Sequence, residues 1–214
     1  SKKVVKSEHG VALRRKKDLA YKLIEALANA THLPVSVKTR LGWDNADDLI
    51  EFGQGAEQAG ANMICIHGRT YKEPYNVPAQ FDPIYELKAS VNIPVIGNGG
   101  ITSLEDGRQK CLPLDGFLIG QASFGNPWVF SDTPPTTLEE KIPVMLAHAD
   151  YLIESKGELV GCREIRKHLL QYLKGFDGAK ALRSRITHVT SLADIISILN
   201  ELSTLNKNLL VTTA

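Results

Sequence analysis

The sequence predicts an α/β fold with a parallel sheet, followed by a segment made only of helices. Over the first two thirds of the chain, short apolar and β-branched runs alternate with longer runs of helical spacing, and glycine or polar turn residues separate them. This alternation is typical of repeated strand–helix units, which form parallel sheets. It stops at a proline-containing segment, residues 131–137, and only helical patterns follow.

Four strands are predicted, and each leads into a helix or a loop. The strands are expected at residues 35–40, 63–67, 94–98 and 116–120. The helices between and around them are expected at residues 18–30, 46–59, 83–89 and 104–110. A long loop, residues 68–80, separates the second strand from the helix that follows it.

The last third of the chain predicts four further helices. Thr137 and Glu140 have the spacing of a capping box, which marks the start of the first of them. The four helices are expected at residues 138–155, 163–174, 179–188 and 191–202. We therefore expect a first domain at residues 1–130, a linker at 131–137, a helical domain at 138–204 and a loose tail at 205–214.

Composition excludes several classes of protein. The 214 residues are 43% apolar and 23% charged with a net charge of +1, which is ordinary globular composition. The three cysteines have spacings that match neither a disulfide framework nor a zinc site, so we expect buried, reduced thiols and no metal. No apolar run approaches the roughly 18 residues of a membrane span, and no signal-peptide core opens the chain. We expect a cytoplasmic protein without membrane contact.

Charge is sorted along the chain. The first 22 residues hold eight Lys or Arg against two acidic residues, whereas residues 23–137 are net acidic. The basic residues of the last third are concentrated between Arg163 and Arg185. This sorting favours a basic contact face, and incidental charge on solvated helices is the alternative explanation.

Polar residues follow two predicted strands at their C-terminal ends, where parallel α/β folds place their sites. Lys38 and Arg40 end the first strand, and a lysine in largely buried surroundings favours an anionic ligand, with an internal salt bridge as the alternative. His67 and Arg69 follow the second strand around Gly68. An imidazole can donate to a ring carbonyl or nitrogen, and a guanidinium suits a phosphate or carboxylate, although a lone histidine is usually structural.

Glycine-rich turns close the third and fourth predicted strands, at residues 97–100 and 120–122. Such turns expose backbone N–H groups at helix N-termini, which can bind a phosphate, although glycine also serves plain turn geometry. Two of them on consecutive strands match the phosphate site that (β/α)8 barrels form after their seventh and eighth strands. The four strands are therefore interpreted as strands five to eight, the C-terminal half of a (β/α)8 TIM barrel.

Five motifs together closely resemble those of the tRNA-dihydrouridine synthases. They are Lys-Thr-Arg-Leu-Gly-Trp at 38–43, Ile-His-Gly-Arg-Thr at 66–70, Gly-Asn-Gly-Gly-Ile at 97–101, Asn-Pro-Trp at 126–128, and Arg-Lys-His at 166–168 with Tyr-Leu at 172–173. The likeness runs from Lys2 to about Leu202 and includes the helical segment, so it is specific to this family rather than to flavin barrels in general.

The resemblance implies an FMN-binding barrel with a helical RNA-binding domain. In the family, NADPH reduces the flavin, the flavin passes a hydride to C6 of a tRNA uridine that has left its stack, and a cysteine protonates C5. Lys38 and His67 would contact the flavin ring system. The phosphate of FMN would be held by Asn98, Gly99, Gly100, Gly120 and Gln121. The tRNA would be contacted by Arg69, Arg166, Lys167 and His168.

The sequence departs from the family's pattern at two of these positions and at its start. The family often has an acidic residue in place of Gly100 and an arginine in place of Gln121, and loss of that cation weakens phosphate binding. The family's Gly-Cys-Pro motif, with the catalytic cysteine, would lie immediately before Ser1, and none of the cysteines present matches it. No catalytic residue is therefore expected within this chain.

The first four strands of a barrel are also missing from the predicted set. A half barrel has two open edges and an uncovered inner face, which favours pairing with further strands. We expect the chain to be a portion of a longer enzyme, or a half that needs a partner chain, and to be inactive alone. Two other functions remain open: an FMN-dependent barrel oxidoreductase of the dihydroorotate dehydrogenase type, which the helical domain disfavours, and a non-catalytic RNA-binding module.

Overall fold

The computed structural model describes residues 2–176 and 178–212, and the chain divides into two compact units. The first unit is Ser1–Gln121 and contains a parallel sheet with helices. The second unit is Ala122–Ala214, and its described residues form helices and turns. The predicted α/β fold with a parallel sheet is confirmed. The division falls ahead of the predicted linker at residues 131–137, and the functions expected of each domain stay predictions.

The first unit contains the four predicted strands in parallel order β1–β2–β3–β4. The strands are β1 Ser36–Arg40, β2 Met63–His67, β3 Val95–Asn98 and β4 Gly116–Leu118. The helices are α1 Lys2–Lys6, α2 Lys17–Ala30, α3 Leu49–Gln58, α4 Asp82–Ser90 and α5 Leu104–Lys110, with a 3-10 helix at Gly10–Lys16. The register pairs Arg40 with His67, and His67 with Asn98.

One face of the sheet forms the core of the first unit. Alternate residues of β2 and β3 point to this face and pack with apolar residues of α2, α3 and α4. The buried members are Ala20, Leu41, Leu49, Phe52, Ile64, Ile66, Ile84, Leu87, Val91 and Val95. Because these side chains fill the space between the sheet and the helices, they determine which residues of each strand lie on the opposite face of the sheet.

The opposite face of the sheet, called here the open face, carries the polar strand ends. By strand alternation and register it presents Lys38, Arg40, His67, Asn98 and Leu118. Lys38 is exposed and Leu118 is 41% exposed, although parallel sheets are normally covered on both faces. Within the described residues, β1 and β4 each pair on one side only. The open face and these two edges are therefore surfaces that further structure can cover.

The second unit is a bundle of helices α6 Leu138–Lys156, α7 Glu158–Tyr172, α8 Ala179–Ile186 and α9 Leu192–Thr212. Its core is a separate apolar cluster that includes Met145, Ile165 and Leu199. The predicted capping box opens α6: the backbone N–H of Glu140 donates to Thr137 Oγ1 at 3.3 Å, and the Glu140 carboxylate accepts from the backbone N–H of Thr137 at 3.1 Å.

The structure differs from the sequence expectation at two helices of the second unit. Helix α7 begins at Glu158, ahead of the predicted start at residue 163. Residues 205–212, expected as a loose tail, continue α9 as helix to Thr212. No Gly or Pro interrupts this stretch, and adding a residue to an existing helix costs much less than starting one. Residues 213–214 of the predicted tail lie outside the described residues.

The described residues contain three buried free cysteines, Cys65, Cys111 and Cys162, as expected. In residues 2–176 and 178–212, no group of His, Cys, Asp and Glu side chains has the arrangement of a metal site. In the same residues, no helix has the length and apolar character needed to cross a membrane.

Arg14 fixes the C-terminal end of β1. Its guanidinium is buried and donates to the backbone carbonyl oxygens of Arg40 at 2.6 Å and Leu41 at 2.5 Å, and to the Asp48 carboxylate. It also lies 4.7 Å from the centroid of the Phe52 ring. This one side chain therefore ties the end of the strand that bears Lys38 and Arg40 to the helix-covered side of the unit.

Replacing Arg14 with Met is expected to lower the free energy of unfolding by about 2–3 kcal/mol, because two carbonyl oxygens and a carboxylate lose their donor. The matched control is Lys16→Met, whose partner Glu8 is exposed and whose removal should cost about 0.5 kcal/mol or less. Urea denaturation of both variants measures the difference. Equal effects would contradict a stabilising role of the buried Arg14 guanidinium.

Candidate functional site

The structure brings the first three predicted cofactor-binding side chains together on the open face. Lys38, His67 and Asn98 lie at the C-terminal ends of β1, β2 and β3. Lys38 Nζ donates to Asn98 Oδ1 at 3.2 Å, and Asn98 Nδ2 donates to the carbonyl oxygen of Leu118 at 2.9 Å. A chain of hydrogen bonds therefore crosses from β1 to β4, and it orients the Asn98 amide. The partner of Lys38 in this chain is neutral, so its charge remains available to an anion.

His67 is buried and neutral at pH 7. Burial lowers its pKa to about 4, and the nearby charges of Arg40, Arg69 and Lys38 act in the same direction. Arg69 Nη1 lies 2.9 Å from His67 Nε2. A guanidinium can only donate, so Nε2 is the acceptor and the ring proton lies on Nδ1. Arg69 thus fixes the tautomer that leaves His67 with one N–H donor.

Arg69 occupies a different environment from the one expected of an RNA contact. It is 5% exposed, and besides His67 it donates from Nε to the carbonyl oxygen of Val77 at 2.6 Å. Its guanidinium therefore holds the loop after β2 against the imidazole. Contact between Arg69 and RNA stays a prediction.

Tyr75 belongs to the same cluster, although the sequence patterns did not single it out. Its ring is 5.8 Å from the His67 ring with an interplanar angle of 28°. The guanidinium carbons of Arg40 and Arg69 lie 5.5 Å and 5.8 Å from its centroid. A shallow cleft of about 210 Å³ is lined by Val11, Lys38, Thr39, Arg40, His67 and Tyr75. The only sequence signal was an aromatic residue in the loop after a strand-end histidine.

The glycine turn after β3 approaches His67 closely. Gly99 has a φ of +124°, and a Cβ there would lie 2.8 Å from His67 Cδ2, so only glycine fits. Gly100 also has a positive φ, +64°. At Gly120, after β4, a Cβ would meet no atom within 4 Å, and Gln121 beside it is exposed. The two predicted phosphate-binding turns thus follow neighbouring strands at one edge of the sheet.

The three residues of the second unit that are predicted to contact RNA differ from one another in their environments. Arg166 is half-buried, and its Nε and Nη2 donate to the carbonyl oxygen of Val189 at 3.0 Å and 2.6 Å. Lys167 is exposed. The His168 ring stacks on Phe124 and lies 4.7 Å from the His148 ring, and burial lowers the pKa of both histidines. Arg166 is therefore tied within the bundle, and its role in RNA binding, like those of Lys167 and His168, stays a prediction.

The first unit belongs to the class of α/β proteins whose polar groups converge at the carboxyl ends of parallel strands, where such folds bind ligands. A family model described as dihydrouridine synthase matches residues 1–209. The chain belongs to this family, as its motifs indicated. The match does not favour the alternative of a dihydroorotate dehydrogenase-type enzyme.

Curated relatives agree with the family assignment. The chain is 36% identical to tRNA-dihydrouridine synthase B of Pseudomonas putida, over 86% of this chain and 59% of that protein. It is 36% identical to tRNA-dihydrouridine synthase B of Vibrio cholerae, over 86% of this chain and 61% of that protein. A probable tRNA-dihydrouridine synthase 1 of Synechocystis is 34% identical, over 93% of this chain and 59% of that protein. The chain spans about 60% of the length of these relatives.

Replacing Arg69 with Met is expected to raise the pKa of His67 from about 4, because a nearby cation no longer opposes protonation. It should also allow both neutral tautomers, since Nε2 then has no donor from Arg69. Nitrogen chemical shifts of the imidazole in an NMR pH titration report both quantities. Arg108→Met, at an exposed position on α5, is the control and should change neither. A His67 pKa near 6.5 in the unchanged chain would contradict the assignment.

The stability of the protein should depend on pH through His67. Its pKa is about 4 in the folded chain against the ordinary histidine value of 6.5, so the unfolded chain takes up this proton first as pH falls. The free energy of unfolding should therefore fall between pH 6.5 and 4, with up to about 3 kcal/mol of the decrease due to His67. His67→Gln should show a correspondingly smaller decrease in urea denaturation. Parallel curves for the two proteins would rule out this linkage.

Proposed function

We propose that this chain is the cofactor- and tRNA-binding portion of a tRNA-dihydrouridine synthase, which reduces uridine in tRNA to 5,6-dihydrouridine with FMN and NADPH. The observation that carries the proposal is the family match over residues 1–209, together with the convergence of Lys38, His67 and Asn98 on the open face. The named activity of the relatives in Pseudomonas putida and Vibrio cholerae supports it. A tRNA substrate would place the protein in the cytoplasm.

The residues on the open face fit a flavin. Bound FMN, once reduced by NADPH, would supply the hydride for the uracil ring. Lys38 offers a positive charge and His67 an N–H donor, which suit the polar, electron-rich edge of the flavin ring system and stabilise negative charge there. A planar ring on this face would also cover surface that parallel sheets normally bury.

The phosphate of FMN would lie at the two glycine turns. Asn98, Gly99 and Gly100 follow β3, and Gly120 and Gln121 follow β4, so their backbone N–H groups lie at the same sheet edge. Gln121 can add a neutral hydrogen bond where the family often has a cation. We therefore expect weaker phosphate binding here than an arginine at position 121 would give.

The four strands would form one half of a (β/α)8 barrel, with the open face as its interior. In the part of the chain that the structure describes, the outer edges of β1 and β4 are unpaired and Leu118 is exposed, which supports this arrangement because closed barrels leave no strand edge unpaired. Four further strands, from the same polypeptide or a partner chain, would complete the site and bring the general-acid cysteine. The chain's own thiols are buried, and burial raises their pKa values, that of Cys111 to about 11. Such thiols are poor candidates for that role.

The 214-residue chain, supplied with FMN and NADPH, is expected to leave unmodified tRNA unreduced, because half of the site is missing. Fusing the part of the Pseudomonas putida synthase that precedes the matched region to Ser1 should produce dihydrouridine. In that fusion, Lys38→Met should lower the rate at least about tenfold, whereas the exposed Arg108→Met should not.

Quantifying dihydrouridine in the recovered tRNA checks all of these reactions. Clear turnover by the 214 residues alone would contradict the half-site arrangement. A folded, flavin-containing fusion that forms no dihydrouridine would contradict the proposed function.

A further inference from the structure

We propose that Tyr75 is a cofactor-binding residue whose ring stacks on the isoalloxazine ring of FMN at the carboxyl edge of the open face. The identity of the ligand rests on the proposed function, whereas the choice of residue rests on the contacts of the tyrosine itself. Tyr75 is 60% exposed and lines the shallow cleft of about 210 Å³ together with Lys38 and His67. Among the side chains that line this cleft, it offers the largest planar surface.

The backbone on both sides of Tyr75 is held by two arginines. Arg40 Nη1 donates to the carbonyl oxygen of Glu73 at 3.4 Å. Arg69 Nε donates to the carbonyl oxygen of Val77 at 2.6 Å. These bonds join the loop to the ends of β1 and β2, so Tyr75 is held in place without a ligand. Binding therefore does not have to order this segment, which is the cost that a flexible loop would add.

The same two arginines lie against the Tyr75 ring. The guanidinium carbons of Arg40 and Arg69 are 5.5 Å and 5.8 Å from its centroid. The His67 ring is 5.8 Å away at an interplanar angle of 28°. Because a tyrosine side chain has only two χ angles, these contacts restrict the orientation of the ring. The side chain is nevertheless 60% exposed, so the ring is both oriented and accessible.

A flat heterocycle suits this ring better than a phosphate or a sugar does. The isoalloxazine ring is planar and electron-poor, whereas a phenol ring is planar and electron-rich, and such rings attract each other in offset stacks. Lys38 and His67 line the same cleft and offer a charge and an N–H group, which can reach only the edge of a flavin. Tyr75 supplies what these two side chains lack, a surface for the flat side of the ring.

The test uses the 214-residue chain and FMN, and it measures both the affinity and the fluorescence of the bound flavin. Tyr75→Leu removes the ring but keeps an apolar side chain, and Tyr75→Phe keeps the ring without its hydroxyl group. The matched control is Tyr151→Leu, because Tyr151 is 71% exposed and lies on α6 in the second unit. A phenol ring in contact with an excited flavin donates an electron to it and quenches its fluorescence, whereas a phenyl ring does not.

Tyr75→Leu is expected to weaken FMN binding about twofold to tenfold, the usual range for loss of one aromatic stack, and to raise the fluorescence of bound FMN. Tyr75→Phe should keep the affinity of the unchanged chain but show the same gain in fluorescence. A merely structural role of Tyr75 predicts no such separation, because the phenylalanine would then restore both quantities. Tyr151→Leu should change neither.

Three results would overturn the stacking role while leaving the proposed function intact. The first is that FMN shifts the NMR signals of Lys38 and Asn98, yet Tyr75→Leu has unchanged affinity and fluorescence. The second is an equal loss of affinity in Tyr75→Phe, which would assign the contact to the hydroxyl group. The third is that Tyr75→Leu binds FMN normally but binds uridine monophosphate more weakly, since the ring would then serve the substrate base. Absence of any FMN binding by the unchanged chain would contradict both this role and the flavin site.

Discussion

The four strands pair in parallel in the order β1–β2–β3–β4, and this pairing places the candidate site residues of the first unit at one edge of the sheet. The register is fixed from the other side of the sheet, where Ile64 and Ile66 are fully buried under the helices. A slip of one residue in β2 would move these side chains to the open face and turn His67 into the core. The hydrophobic core therefore determines which atoms the site presents, although it contributes none of them.

Positive charge is concentrated at this edge of the sheet. Two of the arginines there donate hydrogen bonds to neutral backbone carbonyl oxygens. Arg40 donates to the carbonyl oxygen of Thr70 at 2.7 Å, and Arg69 donates to that of Val77. Glu73 organises the same loop, because its carboxylate accepts from the backbone N–H of Thr70 and from Gln80, each at 2.6 Å. These bonds lower the pKa of Glu73. The loop is thus held in place by hydrogen bonds to backbone carbonyl oxygens and to the Glu73 carboxylate, whose charge also interacts with that of Arg69.

Local patterns in the sequence predicted most elements of the first unit. Strand β2 and helix α5 span the residues predicted for them, because turn residues flank each of these two segments in the sequence. The meeting of Lys38 and Asn98 followed from placing both at the ends of parallel strands.

The backbone acceptors and ring contacts of individual side chains were not predictable in this way. Whether an arginine faces a ligand or is bonded within its own unit depends on the acceptors that the fold supplies, such as the carbonyl oxygen of Val77 for Arg69 and that of Val189 for Arg166. Tyr75 was missed because a loop residue carries no periodicity that indicates where its ring will lie. The helical character of residues 205–212 was missed because their amphipathic pattern is weak, although no helix breaker interrupts them.

The most direct measurement is an NMR titration of the 214-residue chain with FMN, which detects even weak binding residue by residue. Binding at the carboxyl edge of the open face predicts saturable shifts in the signals of Lys38, His67, Asn98 and Gly99. Signals of Ile64 and Val95, on the helix-covered face, should change little. Unchanged signals at the strand ends up to high FMN concentration, or shifts confined to other parts of the chain, would contradict a flavin site on this sheet.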